Sequence, residues 1–179
     1  MYQGCFAPGT KILMADGSWK AVDAFKGDGT EQVTSGDGKK RTVISLVTGV
    51  ERRPMYKLTD SKGRSVFITE MHAVPTTSGV KLAFRLRAGD VVTTQSGRSR
   101  LVSVAKLPPT GKVYNLALGD REAAAKGLST LIAEGIVVGD ADMQQYFTLE
   151  AGRRGFSRAD VITRLDKAWH RDYLNSLRR

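Results

Sequence analysis

Residues 4–13 read GCFAPGTKIL, and they place the only cysteine of the 179-residue chain, Cys5, directly after a glycine and just ahead of the first apolar run. A lone thiol is ordinarily small core filler or an inert surface residue. Position gives this one a further option. A cysteine sulfur reaches the carbonyl carbon of the preceding peptide bond through a five-membered ring, and attack there converts an amide into a thioester. The step is uphill, so a protein that performs it must stabilise the tetrahedral intermediate and protonate the departing nitrogen. Glycine ahead of the nucleophile leaves the carbonyl unobstructed by a side chain.

Outward from this stretch the chain reads as short strands separated by turn signals. KILM precedes Ala15-Asp16-Gly17 and SWKAV follows it. RTVISLV, VFIT, VKLAF, DVVTT, RLVSVAKL, VYNLAL and GIVV continue the pattern to about Val138. Such β-branched runs with Gly, Asp and Pro punctuation predict an all-β domain of hairpins rather than βαβ units. AVDAF suggests a brief helical turn and GDREAAAKGL a loop with one or two turns of helix. After Gly139 the character changes. DADMQQYFTLEAGRRG reads as a connector with a short helix, and residues 157–179 as an amphipathic helix opened by Ser157 and Asp160, with Val161, Leu165 and Trp169 near one face. The expected division is residues 1–140 as a β domain and 141–179 as a helical extension.

Composition narrows the function classes. With 41% hydrophobic residues the chain can bury a core without staples. One cysteine excludes an intrachain disulfide, and with only His72 and His170 besides, no metal site or cofactor is expected. No apolar stretch reaches membrane-span length and the N-terminus does not read as a signal peptide, which predicts a soluble chain, cytoplasmic or cut from a larger exported precursor. The net charge is +10, and residues 151–179 carry eight Lys and Arg against three Asp. A basic helix of this kind could touch nucleic acid, although a solvated helix face is the commoner meaning.

The histidine of the β region lies in ITEMHAVP, where Thr69 and His72 stand three residues apart. A turn between strands would let a hydroxyl and an imidazole converge, and histidine suits proton transfer near neutrality.

Taken together, GCFAPGTKILMADGSW, Thr69-Glu70-Met71-His72, VYNLAL and LIAEGIVVGD resemble, in order, the blocks of the Hint superfamily of inteins, hedgehog autoprocessing domains and bacterial intein-like domains. The resemblance spans Cys5 to about Asp140. It implies a compact Hint-type β fold and assigns roles by position: Cys5 as nucleophile on the Gly4 carbonyl, His72 as proton donor to the Cys5 nitrogen, and Thr69 as a hydrogen-bonding group on the scissile amide.

Departures from the family pattern set the expected outcome. Splicing inteins end in His-Asn followed by Cys, Ser or Thr, whereas this chain reads Val137-Val138-Gly139-Asp140-Ala141. Ionised aspartate cyclises far less readily than asparagine, and Ser129 and Thr130 stand where the closing block often carries histidine. Asn115 replaces the aspartate many inteins place in the VYxL motif, so the group that deprotonates Cys5 is unassigned, with Asp120 and Asp140 as candidates. The expectation is autocatalytic, single-turnover cleavage in cis without splicing. The substrate is then the upstream polypeptide, released when water or another nucleophile resolves the thioester. The rival expectations are a catalytically inert Hint-fold interaction module, a basic nucleic-acid-binding β domain and, last, a cysteine hydrolase acting in trans.

Overall fold

Strand β1 (Lys11–Leu13) turns through Ala15-Asp16-Gly17 into β2 (Trp19–Ala21), with all three β1 residues paired to β2. The computed structural model describes residues 4–154 and His170. Beyond β2 come β3 (Glu31–Thr34), β4 (Lys40–Val43), β5 (Ser45–Glu51), β6 (Met55–Asp60), β7 (Ser65–Thr69), β8 (Ala73–Thr76) and β9 (Gly79–Leu82). β10 (Val91–Thr94), β11 (Gly97–Leu107), β12 (Gly111–Ala117), helix α1 (Arg121–Ala125), β13 (Thr130–Ala133), β14 (Ile136–Gly139) and helix α2 (Ala141–Arg154) complete the described residues. The anticipated all-β reading holds. Every strand pair is antiparallel, as hairpin connections require.

The principal sheet runs β2-β1-β13-β14-β10-β11-β6-β7, with β8 added to β10 and β9 to β8. β12 and β5 form a separate ribbon, as do β3 and β4. Side chains explain the layering. In β7 Val66 and Ile68 point inward while Ser65 and Phe67 are half-buried, the period-2 pattern of a strand over a core. β13 and β14 are buried along their whole length, as an interior hairpin demands. Their two-residue turn holds Glu134 at φ 50° and Gly135 at φ 86°, the geometry that matches strand twist in a tight hairpin. Glu134 tolerates this conformation because Lys11 ties it down: the Lys11 amide donates to its carboxylate at 2.6 Å and its own amide donates to the Lys11 carbonyl at 2.8 Å.

The sequence reading needs refinement in several places. RTVISLV is two strands, because Ile44 breaks away at 52% exposure and sends its amide to the Ala117 carbonyl. VKLAF ends in a 3-10 turn at Ala83–Arg85, and AVDAF holds another at Val22–Ala24. β3, β6, β8 and β13 lack a strong sequence signal. β8 contains Pro75, which normally demotes a strand. The segment after Gly139 is a full 14-residue helix rather than a connector. Its first turn is anchored because the buried Asp140 carboxylate accepts the Met143 amide at 2.8 Å, an N-cap, and Met143 enters the main core at 0% exposure. The expected helix over residues 157–179 lies outside the described residues. No described helix is long and apolar enough to cross a membrane.

Candidate functional site at the Gly4–Cys5 bond

The N-terminal segment is threaded between two strands from different sheets. Phe6 bridges Ile68 of β7 on one side and Tyr114 of β12 on the other. Its amide donates to the Tyr114 carbonyl at 2.7 Å and its carbonyl accepts the Tyr114 amide at 3.1 Å, while the Thr69 amide donates to the Cys5 carbonyl at 2.9 Å. The Phe6 ring is fully buried, a burial worth about 2–3 kcal/mol that holds the segment in place. Backbone pairing on both flanks fixes the register of residues 5–7. The end of β7 and the middle of β12 therefore both face the Gly4–Cys5 peptide.

That peptide is held at each polar atom. Its carbonyl oxygen, on Gly4, accepts from Asn115 Nδ2 at 2.6 Å, and its N–H, on Cys5, donates to Thr69 Oγ1 at 2.8 Å. The orientation of the Asn115 amide follows from its other end, since Oδ1 accepts the Leu116 backbone N–H at 2.8 Å and Nδ2 must then be the atom toward Gly4. Gly4, Cys5, Thr69 and Asn115 are all buried.

Thr69 and His72 lie on a tight turn. The His72 amide donates to the Thr69 carbonyl at 3.1 Å, and the turn is braced by Ala83 and Phe84, whose amides donate to the His72 and Glu70 carbonyls. Arg53 pairs with the buried Glu70 carboxylate at 2.6 Å. The His72 ring, 0% exposed, packs on Phe6 with centroids 4.6 Å apart. Its Nε2 meets the Gly139 carbonyl at 2.9 Å, and Nδ1 has no hydrogen-bond partner. Because a carbonyl only accepts, Nε2 carries the hydrogen in the neutral ring and Nδ1 is a bare lone pair. Burial pushes the His72 pKa down to about 4, against the opposing pull of the Gly139 and Cys5 backbones. At neutral pH the imidazole is uncharged.

Cys5 sits in a small apolar cluster with Ala7, Met55 and Val113. Burial, aided by the Glu51 carboxylate, pushes its thiol pKa up to about 12. At rest it is therefore protonated.

Two residues singled out as candidate bases are placed elsewhere. Asp120 caps α1, accepting the Ala123 amide at 2.9 Å, and pairs with Arg41 at 2.7 Å. Asp140 is fully buried, with its carboxylate engaged by the amides of Leu118 at 3.0 Å and Met143 at 2.8 Å. Burial raises its pKa to about 7 in spite of those donors. Asn115 faces the scissile carbonyl as a donor and has no basic function there. Gln144 escaped the sequence reading altogether, and its side chain lies directly against Gly4. Nothing in DADMQQYF marks one glutamine over the other. Among the described residues no three His, Cys, Asp or Glu side chains gather as metal ligands.

Residues 5–85 match the Hom_end-associated Hint family, a span that includes Cys5, Thr69 and His72. Solved structures extend the likeness over most of the chain. The gp41-1 intein is similar at TM-score 0.62 and 16% identity, covering 78% of this chain and 100% of that one. The DnaB intein of Synechocystis sp. PCC 6803 gives 0.63 and 16%, over 76% and 98%. The Ssp DnaB mini-intein variant M86 gives 0.64 and 17%, over 79% and 97%. Over residues 5–85 the chain is similar to the Hint family, and the fold over most of its length is the one these inteins share.

Proposed function

We propose that this Hint domain is an autoprocessing domain that cleaves the Gly4–Cys5 bond through a Cys5 thioester and does not splice. The observation that carries the reading is the grip on a single buried peptide, with Asn115 on its carbonyl oxygen and Thr69 on its N–H. An ordinary core peptide bond needs only partners, and backbone would serve. Here both partners are side chains flanking the one cysteine.

In the proposed reaction the Cys5 sulfur bonds to the Gly4 carbonyl carbon as the thiol gives up its proton. Negative charge moves to the carbonyl oxygen, where the Asn115 amide is already aimed, so no donor has to reorganise as charge develops. The carbon–nitrogen bond then breaks and the nitrogen takes one proton to leave as an amine. His72 closes the proton balance: its bare Nδ1 receives the thiol proton and returns it to the Cys5 nitrogen. Thr69 holds that nitrogen through the step. Water adds to the thioester, regenerating the thiol and leaving a carboxylate on Gly4; an added thiol or hydroxylamine would regenerate the thiol faster and leave a new thioester or a hydroxamate on Gly4.

The C-terminal side supports cleavage without splicing. Asp140 caps α2 with a carboxylate bound to two backbone amides, and Ala141 continues into the helix. The Asp140 side chain is thus turned away from attack on its own carbonyl.

Mass spectrometry of a precursor with a small reporter domain ahead of the chain tests the reading, with and without hydroxylamine. Release at Gly4–Cys5, accelerated by hydroxylamine and abolished in Cys5→Ala, is the expected result. A precursor that stays intact under every condition would leave an inert Hint-fold interaction module as the better description.

A further inference from the structure

Gln144 is 1% exposed, and neither its Oε1 nor its Nε2 has a hydrogen-bond partner. Leaving both ends of a buried amide unpaired is costly, and native structures rarely tolerate it without a purpose. The side chain sits one turn into α2, where its own backbone amide donates to the Asp140 carbonyl at 3.0 Å. From there it reaches the acyl residue of the scissile bond. A Cβ placed on Gly4 would stand 1.7 Å from Gln144 Oε1 and 2.1 Å from both Cδ and Nε2. These are the three nearest atoms to that position, and all belong to one amide. The obstacle to a side chain at this position is the Gln144 amide.

We infer that Gln144 is a specificity-determining residue that restricts the acyl side of the scissile bond to glycine by occupying the space of any side chain there. The inference rests on the cleavage reading above. It works by exclusion, the means by which a site discriminates when its substrate offers nothing to grasp. It also gives α2 a part in the chemistry. The Asp140 cap and the buried Met143 fix the helix against the β core, and so fix the backbone from which the Gln144 side chain reaches Gly4.

The test is a two-by-two set of reporter precursors: Gly4→Ala and Gln144→Ala, singly and together, each followed by mass spectrometry. The readout is the ratio of release rates with alanine and glycine at position 4. With Gln144 present, Gly4→Ala should slow release by about tenfold or more, the cost of forcing a methyl into packed atoms. In the Gln144→Ala background the ratio should return to within about threefold of unity, since the two positions are coupled only through the clash. Gln144→Asn, one methylene shorter, should fall between. A ratio equally low in both backgrounds, or near unity in both, would overturn the assignment. If no precursor releases its reporter, the cleavage reading fails. The packing claim is then decided by urea unfolding of Cys5→Ala forms. Gly4→Ala must lower the midpoint when Gln144 is present and leave it unchanged in the Gln144→Ala background; any other pattern rejects it.

Discussion

The segments at residues 4–6 and 139–140 both approach His72 and are treated in opposite ways. At the N-terminal end, both polar atoms of the Gly4–Cys5 peptide are held by side chains, Asn115 and Thr69. At the other end, the Gly139 carbonyl is held by His72 Nε2, and the next residue, Asp140, is spent on capping a helix. One peptide is surrounded by groups that can respond to charge and proton movement. The other is built into the core. The difference is one of partners: side chains hold the Gly4–Cys5 peptide, whereas the Asp140 carboxylate is engaged by backbone amides as a helix cap.

Removing the oxyanion donor should have the largest effect short of losing Cys5 itself. Asn115→Leu should slow reporter release by about 100- to 1000-fold, the usual loss for such a donor, while urea unfolding stays cooperative. Release that is unaffected would mean the Gly4 carbonyl is held for packing alone.

The pH profile sharpens the role of His72. If its bare Nδ1 takes the thiol proton, the release rate should be flat from pH 6 to 9, because a group titrating near pH 4 stays neutral throughout. A rate that climbs about tenfold per pH unit would instead mean that hydroxide forms the thiolate of a thiol titrating near pH 12.

Thr69→Val keeps the shape of the side chain but leaves the buried Cys5 N–H without its acceptor. Release should slow by about tenfold, with a loss of about 1–3 kcal/mol in stability.

The weakest effect is expected at the C-terminal end. Asp140→Asn should produce no cleavage at residues 140–141, because its Oδ1 can still accept the Met143 amide and cap the helix, although its Nδ2 then faces the Leu118 N–H. It should change the pH dependence of stability. His72, lowered from 6.5 to about 4 by folding, contributes stability in full above pH 6.5 and loses about 3 kcal/mol as pH falls through 4. Asp140, raised from 3.8 to about 7, acts in reverse: its contribution is present below pH 3.8 and is lost as pH rises through 7. The two offset each other between about pH 4 and 6.5. Asp140→Asn removes one of them, so stability should then rise with pH across that window more steeply than in the parent chain, as urea unfolding at pH 4.5 and 6.5 would show. Equal slopes would mean the Asp140 carboxyl is ionised at both.

Much of this was legible in the primary structure because it is local. The turn after Met14 needs only Asp16-Gly17, and the alternation in VFIT announces one buried face. The Thr69–His72 spacing marks a turn, and the resemblance of the opening and closing blocks to the Hint pattern points to the fold. Exposed Ile44 within RTVISLV and Pro75 within β8 misled or concealed because local propensity does not know which neighbours a strand will find. The orientation of Asn115 depends on the Leu116 amide, and its target lies 111 residues away. Asp140 reads as the last residue of a closing block until the Met143 amide shows it to be the cap of a helix.

By itself, then, the sequence determined the all-β class, the single thiol with a glycine before it, and the turn that carries Thr69 and His72, since each depends on residues within a few positions of one another. Only the tertiary structure decided which atoms face the Gly4–Cys5 peptide. Threading residues 5–7 between β7 and β12 brings Thr69 and Asn115 to its two polar atoms, and docking α2 on the core brings Gln144 to its glycine. Those placements follow from burial and hydrogen-bond satisfaction across the whole domain, and no local pattern encodes them.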